Sequence, residues 1–174
     1  MKLRDLLTVE RVIPSLKAAS KRDALHKILR HVLPKSRERA DAIRAAVMDC
    51  AELPAFGPAH GVALPHAVVA ELTMPIAAFA RLQPALDFGS ADGSAIDLVV
   101  LLVSPSEQPS SHLRALASIA RRLRDPNVRH LLRGSESREA MYMILCGSDW
   151  KRSEPDVTAS DIAEKARAAY GRRA

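Results

Sequence analysis

The chain has 174 residues, enough for one domain with its own core, and is 48% hydrophobic but only 3% aromatic. Packing must rest on Leu, Val, Ile and Ala, which favours helices laid on a sheet over an aromatic-rich all-β sandwich. The net charge of +6 and pI near 9.7 raise nucleic acid as a partner. Six arginines do cluster in residues 114–134, but no aromatic is interleaved to stack bases and no zinc-finger spacing occurs, so a solvated helix face is preferred. No secretory signal opens the chain. The longest apolar run, 96–103, is too short to span a bilayer and carries Asp97, so membrane insertion is not expected. Cys50 and Cys146 stand outside any CxxC pattern and read as reduced thiols of a cytoplasmic protein.

In chain order, 12–18 predicts a short strand broken by Pro14 and placed at a sheet edge. Ser20, with Asp23 three residues on, predicts a capped helix whose apolar stripe is Leu25, Ile28, Leu29 and Val32, ended by Pro34. A second helix covers about 36–50, with Ala42, Ile43, Ala46 and Val47 inward. Residues 51–61, with two prolines and two glycines, predict an irregular wall beside a site. The run Gly61-Val62-Ala63-Leu64 then stops at Pro65, which places His66 at a strand end.

Two strands follow, PIAAFARL and AIDLVVLLV, and the Asp92-Gly93 turn between them predicts antiparallel pairing. The second is apolar on both faces, as a central strand covered by helices should be. Ser110 or Ser111 is expected to cap the next helix, with Leu113, Leu116, Ala120 and Leu123 inward. A short helix after Pro126 and one from Ser135 to about Leu145 complete the domain, Met141, Ile144 and Leu145 facing the core. The reading is a single α/β domain over residues 1–148, followed by a polar tail, 149–174, that is flexible or weakly helical.

Two histidines fall at element ends: His66 after Pro65, and His112 at the opening of a helix that follows the central strand. Sites in α/β sheets gather there, and a helix N-terminus disfavours imidazolium while attracting anions. Two such imidazoles suit phosphoryl chemistry, one attacking phosphorus and the other holding the oxygens. Taken alone, this pattern is also met by surface or capping histidines.

The residues around them carry a family likeness. GVALPHAVV resembles the G-I-A-I-P-H-G motif of the enzyme IIA proteins of the bacterial phosphotransferase system, in their fructose/mannitol and nitrogen-regulatory branch. The strand, D-G turn, apolar strand, Ser111-His112-Leu113 helix start and A-x-x-L-x-D ending continue it over about residues 3–147. The resemblance implies a small mixed β-sheet flanked by helices on both faces. It implies that His66 accepts a phosphoryl group from a small phosphocarrier of the HPr/NPr type and that His112 stabilises that group. The hydroxyl of Ser111 matches a position that helps hold the oxygens, and Gly61 and His60 lie in the segment that corresponds to the phosphate loop. No cofactor and no metal is required, since the donor is itself a phosphohistidine.

Departures from the pattern are specific. Phe56-Gly57-Pro58-Ala59-His60-Gly61 stands where the family has T-G-I-G-x-G, Ala67 replaces the glycine after the histidine, and an upstream arginine and glutamate are replaced around Cys50 and Ala51. A hydroxyl, a glycine and a backbone donor are lost, which predicts slow phosphoryl acceptance. The resulting expectation is a stand-alone regulatory enzyme IIA of the nitrogen type, with a transient phosphohistidine, acting by binding unidentified target proteins. The alternative is a fold-retaining binding protein with impaired or lost transfer. Whether the chain is an enzyme in its own right, and whether it forms a homodimer, stays open. A zinc site built from His60, His66 and His112 is a further reading, without a cysteine or carboxylate placed to assist.

Overall fold

The computed structural model describes residues 2–33, 37–52, 57 and 59–147. Phe56, Pro58 and the tail from 149 onward, on which expectations were placed above, lie outside the described residues. Two 3-10 turns, Leu3–Asp5 and Val9–Arg11, lead into β1 (Val12–Leu16). Then come α1 (Lys21–Leu29), α2 (Arg37–Ala51), β2 (Val62–Ala63), β3 (His66–Val69), β4 (Ile76–Leu86) and β5 (Ile96–Pro105). Three helices close the domain: α3 (Pro109–Arg124), α4 (Pro126–Gly134) and α5 (Arg138–Cys146).

The five strands form one mixed sheet in the order β1-β4-β5-β2, with β3 also on β5. β4 and β5 run antiparallel, and the turn between them closes through Gly93 N–H to the Ser90 carbonyl at 3.0 Å, with Gly93 at φ 70°. The expected hairpin and the edge position of β1 are both present, although β1 ends at Leu16 and not at Ala18. β5 takes partners on both sides, as its two-faced apolar sequence predicts.

Alternation along β5 divides the core. Leu98, Val100 and Leu102 face α3, α4 and α5, through Ile119, Leu131 and Ile144 among others. Val99, Leu101 and Val103 face α1 and α2, through Leu25, Ile28, Ile43 and Val47. Helices thus cover both faces of the sheet, as expected. Ala42 and Ala46, expected inward on α2, are only half-buried, while Ile43 and Val47 carry its core contact.

Caps explain several boundaries. Ser20 accepts from the Asp23 N–H and starts α1, and the Asp23 carboxylate accepts from the Ala19 N–H in return. Asp125 caps α4, and Ser137 caps α5 two residues after the expected start at Ser135. α3 departs from expectation: Gln108 is its cap residue, with no side-chain cap bond and Pro109 in the first turn, so Ser110 and Ser111 lie inside the helix. Proline needs no N–H there and its fixed φ suits the first helical position, which moves the start ahead of both serines.

Candidate functional site

Pro65 interrupts a strand and does not end it. Val62–Ala63 pairs with Leu98 and Val99, and pairing with β5 resumes at His66, opposite Leu102. The proline supplies no N–H, yet its carbonyl accepts from Leu102 N–H at 3.0 Å, so the ladder survives the break. His66 therefore opens β3, a correction to the strand-end placement, and its ring is fixed at once. Nδ1 lies 2.9 Å from the Leu64 carbonyl oxygen. A carbonyl only accepts, so the proton belongs on Nδ1 and the lone pair on Nε2.

His112 comes from the first turn of α3 and is buried. The two imidazole centroids are 5.4 Å apart, with planes tilted by 47°. Burial pushes the His112 pKa below the ordinary histidine value, and the neighbouring His66 pushes it in the same direction. Its Nδ1 is buried without a hydrogen-bond partner among the described residues, as is the hydroxyl of Ser104 on β5.

The burial of His112 overturns the expected face of α3. The inward set is His112, Ala115, Ile119 and Leu123; Leu116 and Ala120 only flank the core, and Leu113 is 65% exposed. Ile119 and Leu123 fix the helix rotation, and a step of 100° per residue then carries residue 112 inward and 113 out. Exposing a leucine forgoes roughly 1.5–3 kcal/mol of burial, and an unpaired buried nitrogen costs about 1–3 kcal/mol more. Such a local violation is typical of a functional position. Ser111 precedes His112 in the same turn, half-buried, its N–H bonded to the Gln108 carbonyl at 3.0 Å.

His60 and Gly61 are not brought to the imidazole pair. The Gly61 carbonyl accepts from Asp97 and Leu98 N–H, each at 3.0 Å, four strand residues before the level of Leu102, or about 13 Å. His60 N–H donates to Asp92 at 2.9 Å and its carbonyl accepts from Arg133 at 2.7 Å, so both main-chain groups serve the loop. The hydrogen bonds that Asp92 receives, foremost from His60 and Ser94 N–H, hold its carboxyl far below the usual range. Among the described residues no three His, Cys, Asp or Glu side chains converge to hold a metal ion, and the three-imidazole reading fails on the placement of His60.

Cys50, read in the sequence as a reduced thiol near which the family's upstream arginine and glutamate are replaced, reaches the site. Its Sγ donates to the His66 carbonyl at 2.7 Å from the last turn of α2. The Arg133–Asp97 ion pair was also unforeseen, and its one legible sign was an aspartate inside an apolar strand.

Residues 5–147 match the family described as the phosphoenolpyruvate-dependent sugar phosphotransferase system, EIIA 2. The chain belongs to this family. It is 35% identical over 145 residues to the nitrogen regulatory protein of Bradyrhizobium diazoefficiens, covering 83% of this chain and 95% of the relative. Identity to the nitrogen regulatory protein of Pseudomonas aeruginosa is 30% over 146 residues, again 83% of this chain and 95% of the relative. Among solved structures, nitrogen regulatory protein IIA-Ntr from Neisseria meningitidis superposes with a TM-score of 0.76 at 22% identity, covering 82% of this chain and 98% of that one. The mannitol IIA of Escherichia coli gives 0.64 at 18% identity, covering 80% and 98%. These two share the enzyme IIA fold with this chain. Among the described residues, no helix is long and apolar enough to cross a membrane.

Proposed function

We propose that this EIIA-2 chain accepts a phosphoryl group on Nε2 of His66 from the phosphohistidine of a small HPr/NPr-type carrier, and that its two states regulate cytoplasmic target proteins by binding. The observation that carries this reading is the imidazole pair, 5.4 Å between centroids, with the His66 proton placed on Nδ1 by the Leu64 carbonyl. In the step, the Nε2 lone pair attacks phosphorus as the donor's P–N bond breaks and its electrons return to the donor imidazole. One P–N bond forms and one is lost, and the ring proton stays on Nδ1, donated to the Leu64 carbonyl. His112 lies beside the new group, with the Ser111 hydroxyl in the same turn. α3 opens without a side-chain cap, so its positive end favours the incoming charge. His60 and Gly61 act one step removed, by shaping the strand that leads to His66.

A protein donor is supported by the rim. Val68 is 47% exposed two residues beyond His66 on the same face, Leu113 adjoins His112, and Met74 is 63% exposed between β3 and β4. Exposed apolar side chains close in the chain to both histidines suit a docked protein better than a small anion. The mannitol IIA of Escherichia coli, of the same fold, has been solved in complex with phosphorylated enzyme IIB mannitol. The nitrogen-regulatory relatives make regulation the role of choice.

The test is incubation with a phosphorylated HPr-type carrier and mapping of acid-labile phosphate. Label on His66 that vanishes in His66→Ala, and that forms more slowly in His112→Ala, is the expected result. Label on His112 in the wild type reverses the roles. No label at all leaves the fold-retaining binding protein as the function.

A further inference from the structure

We infer that Cys50 is a positioning residue for His66: its thiol ties the main chain of the phosphoryl-accepting residue to the end of α2 and so aims the imidazole. The inference rests on phosphoryl acceptance at His66 and adds a residue to it.

The geometry begins with the two edges of β3. Pro65 and Val69 direct their carbonyls toward β5, accepting from Leu102 at 3.0 Å and from Ser106, just past its end, at 2.9 Å. Main-chain groups alternate in direction along a strand, so the His66 carbonyl points the other way, out of the ladder. No described strand lies on that side, and the sheet ends there. α2 covers the edge, and Cys50, half-buried in its last turn, donates to the His66 oxygen at 2.7 Å. Burial raises the thiol pKa above its ordinary value, more strongly than the His66 main chain and Lys21 lower it. The sulfur thus keeps its proton at neutral pH and remains a donor.

Two of the bonds that hold His66 come from outside β5. Leu64 grips the ring through Nδ1, and Cys50 grips the backbone from the opposite layer. The β5 ladder anchors the neighbouring main-chain groups, and the thiol adds a hold on the His66 carbonyl itself, so its loss lets the peptide after His66 tilt and carry the ring with it. In-line attack needs Nε2 aimed within a narrow cone, so a slack backbone lowers the rate without weakening the encounter. That sets Cys50 apart from a residue that merely fills space.

The experiment compares Cys50→Ala and Cys50→Ser with the full wild-type chain, using a phosphorylated HPr-type carrier as donor. Cys50→Ala is expected to lower kcat about five- to tenfold with KM within about twofold, the signature of lost orientation. Cys50→Ser, which keeps a donor, is expected to recover most of the rate. The 15N spectrum of the His66 imidazole is recorded in parallel. A single Nδ1–H tautomer in wild type and Cys50→Ser, giving way to a mixture in Cys50→Ala, supports the inference. Wild-type kcat and an unchanged ring spectrum in Cys50→Ala overturn it, as does equal loss in both variants that follows a fall in Tm. If no form of the protein is labelled, phosphoryl acceptance fails as the function, and the ring spectrum alone decides whether Cys50 positions His66.

Discussion

Arg133 grips Asp97 through two contacts, Nε to Oδ2 at 2.6 Å and Nη2 to Oδ1 at 2.7 Å, and donates again to the His60 carbonyl. One guanidinium thereby joins the end of α4, the start of β5 and the loop that feeds β2. The pair raises the Arg133 pKa, chiefly through the Asp97 hydrogen bonds. Being partly exposed, it is worth about 1 kcal/mol at most. Its larger effect is steric. Gly61 passes directly beneath it at φ 82°, following Ala59 at 70° and His60 at 57°.

Gly61→Ala should therefore be strongly destabilising, by about 2–3 kcal/mol in urea denaturation. A Cβ at that position would meet both Arg133 Nη2 and Asp97 Oδ1 at 2.7 Å, in a backbone region that already disfavours side chains. Ala59→Gly should act oppositely and add up to about 1 kcal/mol, because alanine is strained at positive φ. A Gly61→Ala protein as stable as wild type would remove the clamp from the account.

His112 should titrate below an ordinary histidine, and His66→Gln should bring its pKa part of the way back. Burial is the larger cause and persists in the variant, whereas the His66 contribution is lost. The stability sign follows. The unfolded chain binds the proton more readily than the native one, so this group favours folding at higher pH. That stability diminishes as pH falls below about 6.5, the value in the unfolded chain. Proton NMR of the ring measures both effects. A His112 pKa unmoved by His66→Gln would mean that the rings do not interact electrostatically.

Arg81→Met should cost about 2–3 kcal/mol, with Arg81→Lys recovering little of it. Arg81 is buried in β4 and donates to Pro14 at 2.9 Å and to the Leu132 and Arg133 carbonyls at the end of α4. A single ammonium cannot span β1 and α4 together. Full stability in the lysine variant would show that charge alone suffices at this position.

The arginines also correct the first impression given by charge. Arg129 donates to the Leu123 and Arg124 carbonyls that end α3, and Arg122 to the Ile144 carbonyl near the end of α5. Burial depresses the Arg122 pKa. Cations that bind helix C-terminal carbonyls satisfy groups the helix itself leaves open. With Arg133 on Asp97, three of the six arginines in 114–134 bind within the fold.

Local signals were readable wherever the physics is local. Ser20 with Asp23, the Asp92-Gly93 turn and the apolar run of β5 each act within a few residues, and each element formed as expected. The likeness of GVALPHAVV and Ser111-His112-Leu113 to the enzyme IIA motifs marked His66 and His112, and the fold brings these rings together across 46 residues.

The chain by itself determined its element types, its layered α/β class and its family, because periodicity, caps and motif residues are properties of neighbours in sequence. Only the tertiary structure decided that His112 turns inward and Leu113 outward, since Ile119 and Leu123 set the rotation of α3 against β5. It likewise placed Cys50 on the His66 carbonyl, drew His60 off to Asp92 and Arg133, and set the Gly61 carbonyl on Asp97 and Leu98. These contacts join residues 16 to 73 positions apart. Which of several polar groups meets a given carbonyl at that range depends on how whole elements pack, and no window of sequence contains that information.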